Sequence, residues 1–312
     1  ITSSKYTDEL PSWVKKFNKR GHAERHLNAG WRIKRTEKDF VQEWPDNNPF
    51  EQPFEGGANA TFPYDLKSLS EANGGYDILK STPHGNTLVI DLAVEALAGE
   101  SLGVDAITDL LAISLSSTDY VGHQFGTNAW ETMEIYVHLD RLLKQLFNQL
   151  DSKVGNGNWM CWLTADHGAA TPPSLARSVG MPVDYWKPGN MIEDVKADLK
   201  SEYGDEQWIL SYSNDQFFFN RPLMRERGID LDEAQRRIQL LCQQYEGVSM
   251  VITGRDLTSG NTAGDPIVEK IRNGWSANTS GDVIVVIQPG WIKYGLAGTT
   301  HGSPFPYDTH VP

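Results

Sequence analysis

Asp109-Leu110-Leu111-Ala112-Ile113-Ser114-Leu115-Ser116, followed at once by Ser117-Thr118-Asp119-Tyr120-Val121-Gly122-His123-Gln124-Phe125-Gly126, decides how the chain reads. Residues 109–116 are a continuous apolar run of strand length. Such a run is the mark of a strand buried on both faces of a sheet. Residues 117–126 read as the loop after that strand, with Asp119 and His123 on it. In open α/β sheets, ligands bind just past the carboxyl ends of the strands.

The same grammar repeats outward from this stretch. A helix is expected at 129–150, where Ile135, Leu139, Leu142, Leu143, Leu146 and Leu150 keep helical spacing. A second buried strand is expected at 159–164, ending in Ala165-Asp166-His167-Gly168. A third, 282–288, leads into a glycine-bearing loop with His301-Gly302. Upstream, Leu88, Ile90, Ala93, Ala96 and Leu97 place a helix at 86–102. Between the second and third strands come helices at 192–202, 231–245 and 266–273. Short strands are expected at 208–212, 216–220 and 248–253, as a small inserted sheet. Alternating buried strands and helices predict an α/β fold with a mainly parallel central sheet flanked by helices.

Residues 1–80 differ in kind. They are rich in Asn, Pro, Gly and aromatic residues, with one short helix expected at 13–19. The expected organisation is an irregular, lid-like region over 1–80 and a metal-binding α/β core over 81–312, with an inserted segment at about 190–280. The opening Ile1-Thr2-Ser3-Ser4 and the closing Asp308-Thr309-His310-Val311-Pro312 read as truncated ends.

Composition narrows the function. At 39% hydrophobic residues, with ten Trp, eleven Tyr and eleven Phe, the chain can bury a core and is not disordered throughout. No apolar run reaches the roughly 18–20 residues of a membrane span. A formal net charge of −13 excludes nucleic-acid binding through a basic face. It does not exclude a phosphorylated small substrate, because bound cations dominate a local field. Cys161 and Cys242 both read as small buried hydrophobes; a disulfide between them has no support in the pattern.

Carboxylate and imidazole together suit Zn²⁺ and similar ions. Asp119 with His123, Asp166 with His167, and His301 are the candidate ligands. Each motif alone has an ordinary reading. A D-x-x-x-H loop is commonly a turn Asp and a surface His, and D-H-G commonly makes a turn. Their convergence on three strand ends carries the metal reading. His310 is the rival to His301 for the third ligand. His22 and His26, at i, i+4 among charged residues, read as a solvated face. His138 reads as packing or surface. His84 reads as a helix-initiating turn with Asn86 as cap. Asp308 and Asp282 read as a turn and a strand start, or as groups supporting the ligands.

S-T-D-Y-V-G-H-Q-F-G, T-A-D-H-G and T-T-H-G-S-P-F-P-Y-D-T-H-V-P resemble the alkaline phosphatase superfamily. The resemblance is to its type I phosphodiesterase/nucleotide pyrophosphatase-like branch, and most of all to bacterial alkaline phosphatases of the PafA type. It covers most of the chain from about residue 80. It implies two Zn²⁺ ions, one held by Asp119, His123 and His301, the other by Asp166 and His167 with two further ligands. Those two would be an Asp ending an early strand and a nucleophilic Thr or Ser at a helix start. Nothing in residues 1–80 matches them: Thr61 and Ser68 lie in loop-like sequence and Thr82 precedes Pro83. No catalytic nucleophile is therefore assigned. The implied activity is phosphomonoester hydrolysis through a phospho-Thr/Ser intermediate, in a periplasmic or secreted protein. The alternatives are a phosphodiesterase or nucleotide pyrophosphatase, and a non-catalytic metal-binding fragment.

Overall fold

The computed structural model describes residues 5–33, 35–259 and 264–312. The opening tetrapeptide that reads as a truncated end lies outside the described residues. The chain divides into two compact units, Ile1–Leu163 with Ala297–Thr299 and Thr164–Leu296 with Thr300–Pro312.

The first unit is built on helices. Pro83–Gly99 starts where Thr82 accepts the amide of His84 on its hydroxyl, at 3.3 Å, and Pro83 supplies a preset φ in the first turn. Asn86, expected as the cap, sits inside the helix and is fully buried. Trp130–Lys153 turns Leu142 and Leu146 onto Ile90 of the first helix, and the partly buried Ile113 and Leu115 close that cluster. Each such side chain contributes about 1.5–3 kcal/mol when removed from water.

A second cluster gathers Leu27, Trp31, Phe54, Tyr64, Leu66, Val121, Phe125 and Ile135. Phe54, Ala60 and Tyr64 come from the irregular stretch read as lid-like, so that stretch supplies core rather than only covering it. Beyond the one short helix expected there, realised as Ser12–Asn18, it also holds the helix His22–Ala29.

The second unit holds one four-stranded sheet, order β1-β2-β4-β3, with β1 at Ile209–Ser213, β2 at Gln216–Phe219, β3 at Val248–Thr253 and β4 at Val283–Ile287. The β1–β2 hairpin turns on Asn214 and Asp215, at φ 49° and 55°. Two central residues in the left-handed region match the twist that a tight hairpin needs. β4 is covered on both faces. Val283 and Val285 pack with Trp208, Phe217, Met191 and Ile238, while Ile284 and Val286 pack with Leu257, Val268 and Phe305. Phe305 thereby ties down the loop that carries His301.

Several elements differ from the sequence expectations. Residues 109–116 and 159–164 form no strand. Residues 117–126, expected as loop, are mostly the helix Ser117–Phe125. The expected third core strand exists as β4 but pairs antiparallel with β2 and β3, the strands expected in a separate insert. The ladders among the described strands are all antiparallel, apart from an isolated parallel bridge between Tyr185 and Ile292. A buried parallel strand needs hydrogen-bonded neighbours on its edges, and an apolar run does not encode who they are. Cys161, expected buried, is exposed for the same reason, and Cys242 is buried as expected; neither is in a disulfide.

Candidate metal centre

In the first unit the helix Ser117–Phe125 puts Asp119 and His123 one turn apart on the same face. Asp119 Oδ2 lies 3.4 Å from His123 Nε2. The other ring nitrogen, Nδ1, lies 2.7 Å from the Thr299 carbonyl. A carbonyl only accepts, so Nδ1 donates and carries a proton, which leaves Nε2 as the nitrogen that would face a metal. The Thr299 amide returns a bond to the His123 carbonyl at 2.9 Å. The hydrogen bond to Asp119 raises the His123 pKa, against burial, which lowers it. Asn86 anchors the start of this helix. Its amide oxygen accepts the Ser117 N–H at 3.2 Å and its NH₂ donates to the Thr118 hydroxyl at 3.0 Å.

In the second unit Asp166, His167 and His301 come together. The His167 and His301 rings stack with centroids 3.3 Å apart and 13° between planes. Each offers a nitrogen within 4.8 Å of the other's. His167 Nδ1 donates to the Gly168 carbonyl at 2.8 Å, which again leaves Nε2 as the nitrogen that would face a metal, and that atom lies 3.5 Å from Asp166 Oδ1. The Asp166 side chain is 90% exposed.

Gly168 has no substitute here. Its N–H donates to the Asp308 carbonyl at 2.7 Å, and a Cβ on it would stand 2.1 Å from the Tyr307 carbonyl oxygen. Buried Asp308 accepts the amides of Gly302 and Ser303 at 3.0 and 2.7 Å, so it sets the turn just after His301. Asp282 does the work of a strand start: it bonds Arg221 and the Phe219 amide. His310, the rival ligand, is exposed.

Two polar groupings in the first unit were not visible in the sequence. His22 and His26, read as a solvated face, are half-buried, as are His84 and His138, and the His26 and His84 rings lie 4.6 Å apart. Burial, reinforced by neighbouring positive charge, pulls His26 and His138 down to about 4. Glu51 and Glu131 are buried. Glu51 accepts from Asn48 at 2.6 Å and Glu131 from the Tyr64 hydroxyl, while the second oxygen of each has no partner. Burial raises both carboxyls, and the Glu131 charge raises Glu51 further. The spacing of i, i+4 histidines was a weak signal for the first grouping; nothing marked Glu51.

The model of the type I phosphodiesterase/nucleotide pyrophosphatase family matches residues 6–304. The chain belongs to this family. Within it, the chain is 36% identical to a protein of Myroides odoratus named calcium-transporting ATPase, over all of this chain and 57% of that protein. It is 34% identical to alkaline phosphatase PafA of Elizabethkingia meningoseptica, again over 57% of its length, and 34% identical to alkaline phosphatase PhoV of Synechococcus elongatus over 56%. The crystal structure of wild-type PafA superposes with a TM-score of 0.91 at 34% identity, covering all of this chain and 59% of that one. The fold of this family member is thus that of the PafA alkaline phosphatase, and the chain spans a little over half the length of these relatives.

Proposed function

We propose that this chain is the metal-binding part of a zinc-dependent phosphomonoester hydrolase of the alkaline phosphatase type. The observation that carries the reading is the donor chemistry found in a member of this family. Asp119 with His123, and Asp166 with His167 and His301, are carboxylate–imidazole groupings, and in both His123 and His167 the Nδ1 proton is pinned by a carbonyl. That donor set fits Zn²⁺. Asp119, His123 and His301 would hold one ion; Asp166 and His167 would give two ligands to a second. When bound, such ions stabilise negative charge on phosphoryl and leaving-group oxygens. The residues themselves act by position. Thr299 and Gly168 fix which nitrogen faces the ion, Asn86 holds the helix of Asp119, and Asp308 holds the turn of His301. The hydroxyl that would form a phospho-Thr or phospho-Ser intermediate is not assigned in this chain.

The proposed substrate is a phosphorylated small molecule, in keeping with a net charge of −13 that repels nucleic-acid backbones. Among the described residues no helix is long and apolar enough to cross a membrane. Action in the periplasm or outside the cell is what the relatives' type implies. A second reading, cleavage of phosphodiesters, is favoured by the description of the family itself.

Metal analysis of the purified chain tests the site. About one tightly bound zinc ion is expected, because a stable zinc site needs three or four protein ligands, and Asp119→Ala should remove it. No zinc, with Asp119→Ala making no difference, sinks the site. Substrate class is read in the complete fold. Faster hydrolysis of p-nitrophenyl phosphate than of bis(p-nitrophenyl) phosphate supports the monoesterase; the reverse order assigns the diesterase.

A further inference from the structure

The second unit holds a cavity of about 720 Å³, the size that takes a small organic molecule. The stretch 300–304, which carries His301, lines one part of it. Residues 284–287 of β4, with Ile271, Trp275 and Trp291, give it a largely apolar lining. Lys270 and Lys293 line it as well.

The two lysines stand out by their partners. The Lys270 ammonium donates to the Pro304 carbonyl at 3.1 Å and to the Thr309 hydroxyl at 2.7 Å. Pro304 and Thr309 are themselves lining residues, so this charge is held at the cavity wall beside the stretch that carries His301. An ammonium has three donors, and these bonds use two of them. Lys293 Nζ lies 5.7 Å from the centre of the Tyr212 ring. Neither lysine meets a carboxylate among the described residues, whereas Lys15, Lys67, Lys80, Lys196 and Lys200 each do. The aspartates that line the cavity are engaged elsewhere. Asp308 Oδ2 accepts the Gly302 and Ser303 amides, and its other oxygen is buried. Asp215 accepts the Tyr212 hydroxyl at 2.9 Å. A single lysine without an ion pair is ordinary. Two of them on one cavity with an aromatic and aliphatic lining match the make-up of a site for an organic anion.

We propose that this cavity receives the leaving group of the phosphomonoester, and that Lys270 and Lys293 select leaving groups with an apolar body and a second anionic group. The inference rests on the hydrolase reading, in which His301 is a metal ligand and the phosphoryl group sits at its end of the cavity. The phosphoryl group is the same in every monoester, so selection among monoesters falls to whatever binds the rest of the molecule. Charge gives the direction of that selection. A net charge of −13 disfavours every added negative charge on a ligand at long range. Two ammonium groups at the cavity reverse that preference locally, where a carboxylate or a second phosphate can reach them.

Isothermal titration of the zinc-loaded chain tests this with benzylphosphonate and its 4-carboxy and 4-phosphono derivatives, at a pH where the phosphonates are fully ionised. Their C–P bond replaces the ester, so binding is read without turnover. At least one of the two derivatives should bind about tenfold tighter than benzylphosphonate, the size of one hydrogen bond to a charged group, and the larger gain names the group. In Lys270→Met with Lys293→Met the order should reverse, because only the repelling net charge is left. Lys293→Met alone should cut the advantage about threefold; its side chain is exposed, so this variant serves if Lys270→Met disturbs the 304–309 turn. The readout is a ratio within one protein, so a general loss of affinity does not imitate it. Equal or weaker binding of both derivatives by the unsubstituted chain overturns the inference, as does an advantage that survives in Lys293→Met and in the double variant. Orthophosphate binding and zinc content, measured alongside, separate the two readings. If both are normal, such a result removes only the leaving-group assignment; if both are absent, the hydrolase reading falls and this inference with it.

Discussion

The two nitrogens of His123 have separate duties, and the backbone assigns them. The Thr299 carbonyl accepts from Nδ1, and Nε2 is the nitrogen on the Asp119 side. Gly168 matters as much as His123 at this scale. A single methyl there would meet the Tyr307 carbonyl at 2.1 Å, and the backbone cannot yield as a flexible side chain can. Gly168→Ala is expected to lower stability by about 1–3 kcal/mol and to weaken zinc uptake, read by denaturant melts and competitive chelation. Asp166, His167 and Gly168 stand together in the sequence, but only as three letters of a motif. The reason for the glycine, a close approach from residues 307–308, is a long-range fact that no local pattern encodes.

Among elements, the helix Ser117–Phe125 shows how a site is aimed. Its first residues hang from Asn86, a buried amide on another helix. Asn86→Ala leaves the Ser117 N–H and the Thr118 hydroxyl without that partner, so a loss of about 1–3 kcal/mol is expected, with weaker zinc binding. Restoration of neither by Asn86→Leu would separate the hydrogen bonds from simple space filling. The helix spacing at 130–153 was legible because Ile135, Leu142 and Leu146 repeat with the turn. β4 was legible because it is a run of branched residues, and β3 because Val, Ile and Thr dominate it. Residues 109–116 and 159–164 have the same look and are not strands. Pairing is a property of two segments, and composition describes one.

The helices that carry His26, His84 and His138 make the first unit sensitive to acid. Their folded pKa values lie below the ordinary 6.5, to about 4 for His26 and His138, so between those values the unfolded chain binds more protons. Stability from this group is therefore complete above pH 6.5 and is lost as pH falls toward 4. His138→Gln should flatten that limb of a melting-temperature profile. The buried Glu51 and Glu131 act with the opposite sign. Their raised pKa values mean that the folded state holds protons the unfolded state releases, so stability falls as pH rises above the ordinary 4.5. Glu51→Gln should raise the melting temperature in alkaline buffer and leave it unchanged near pH 4.

For the molecule as a whole, a resident metal should register as stability. A ligand at about 100 times its dissociation constant adds about 2.7 kcal/mol to unfolding, so a zinc chelator should lower the melting temperature and Asp119→Ala should abolish the chelator's effect. One further consequence concerns time. His123 is held by Thr299, a partner 176 residues later in the chain. Ribosomes add roughly 5–20 residues per second. During synthesis the ring thus waits about 10–35 seconds for the carbonyl that fixes its proton. Until then both tautomers are open to it, and a cation arriving early meets a histidine that has not yet been told which nitrogen to offer.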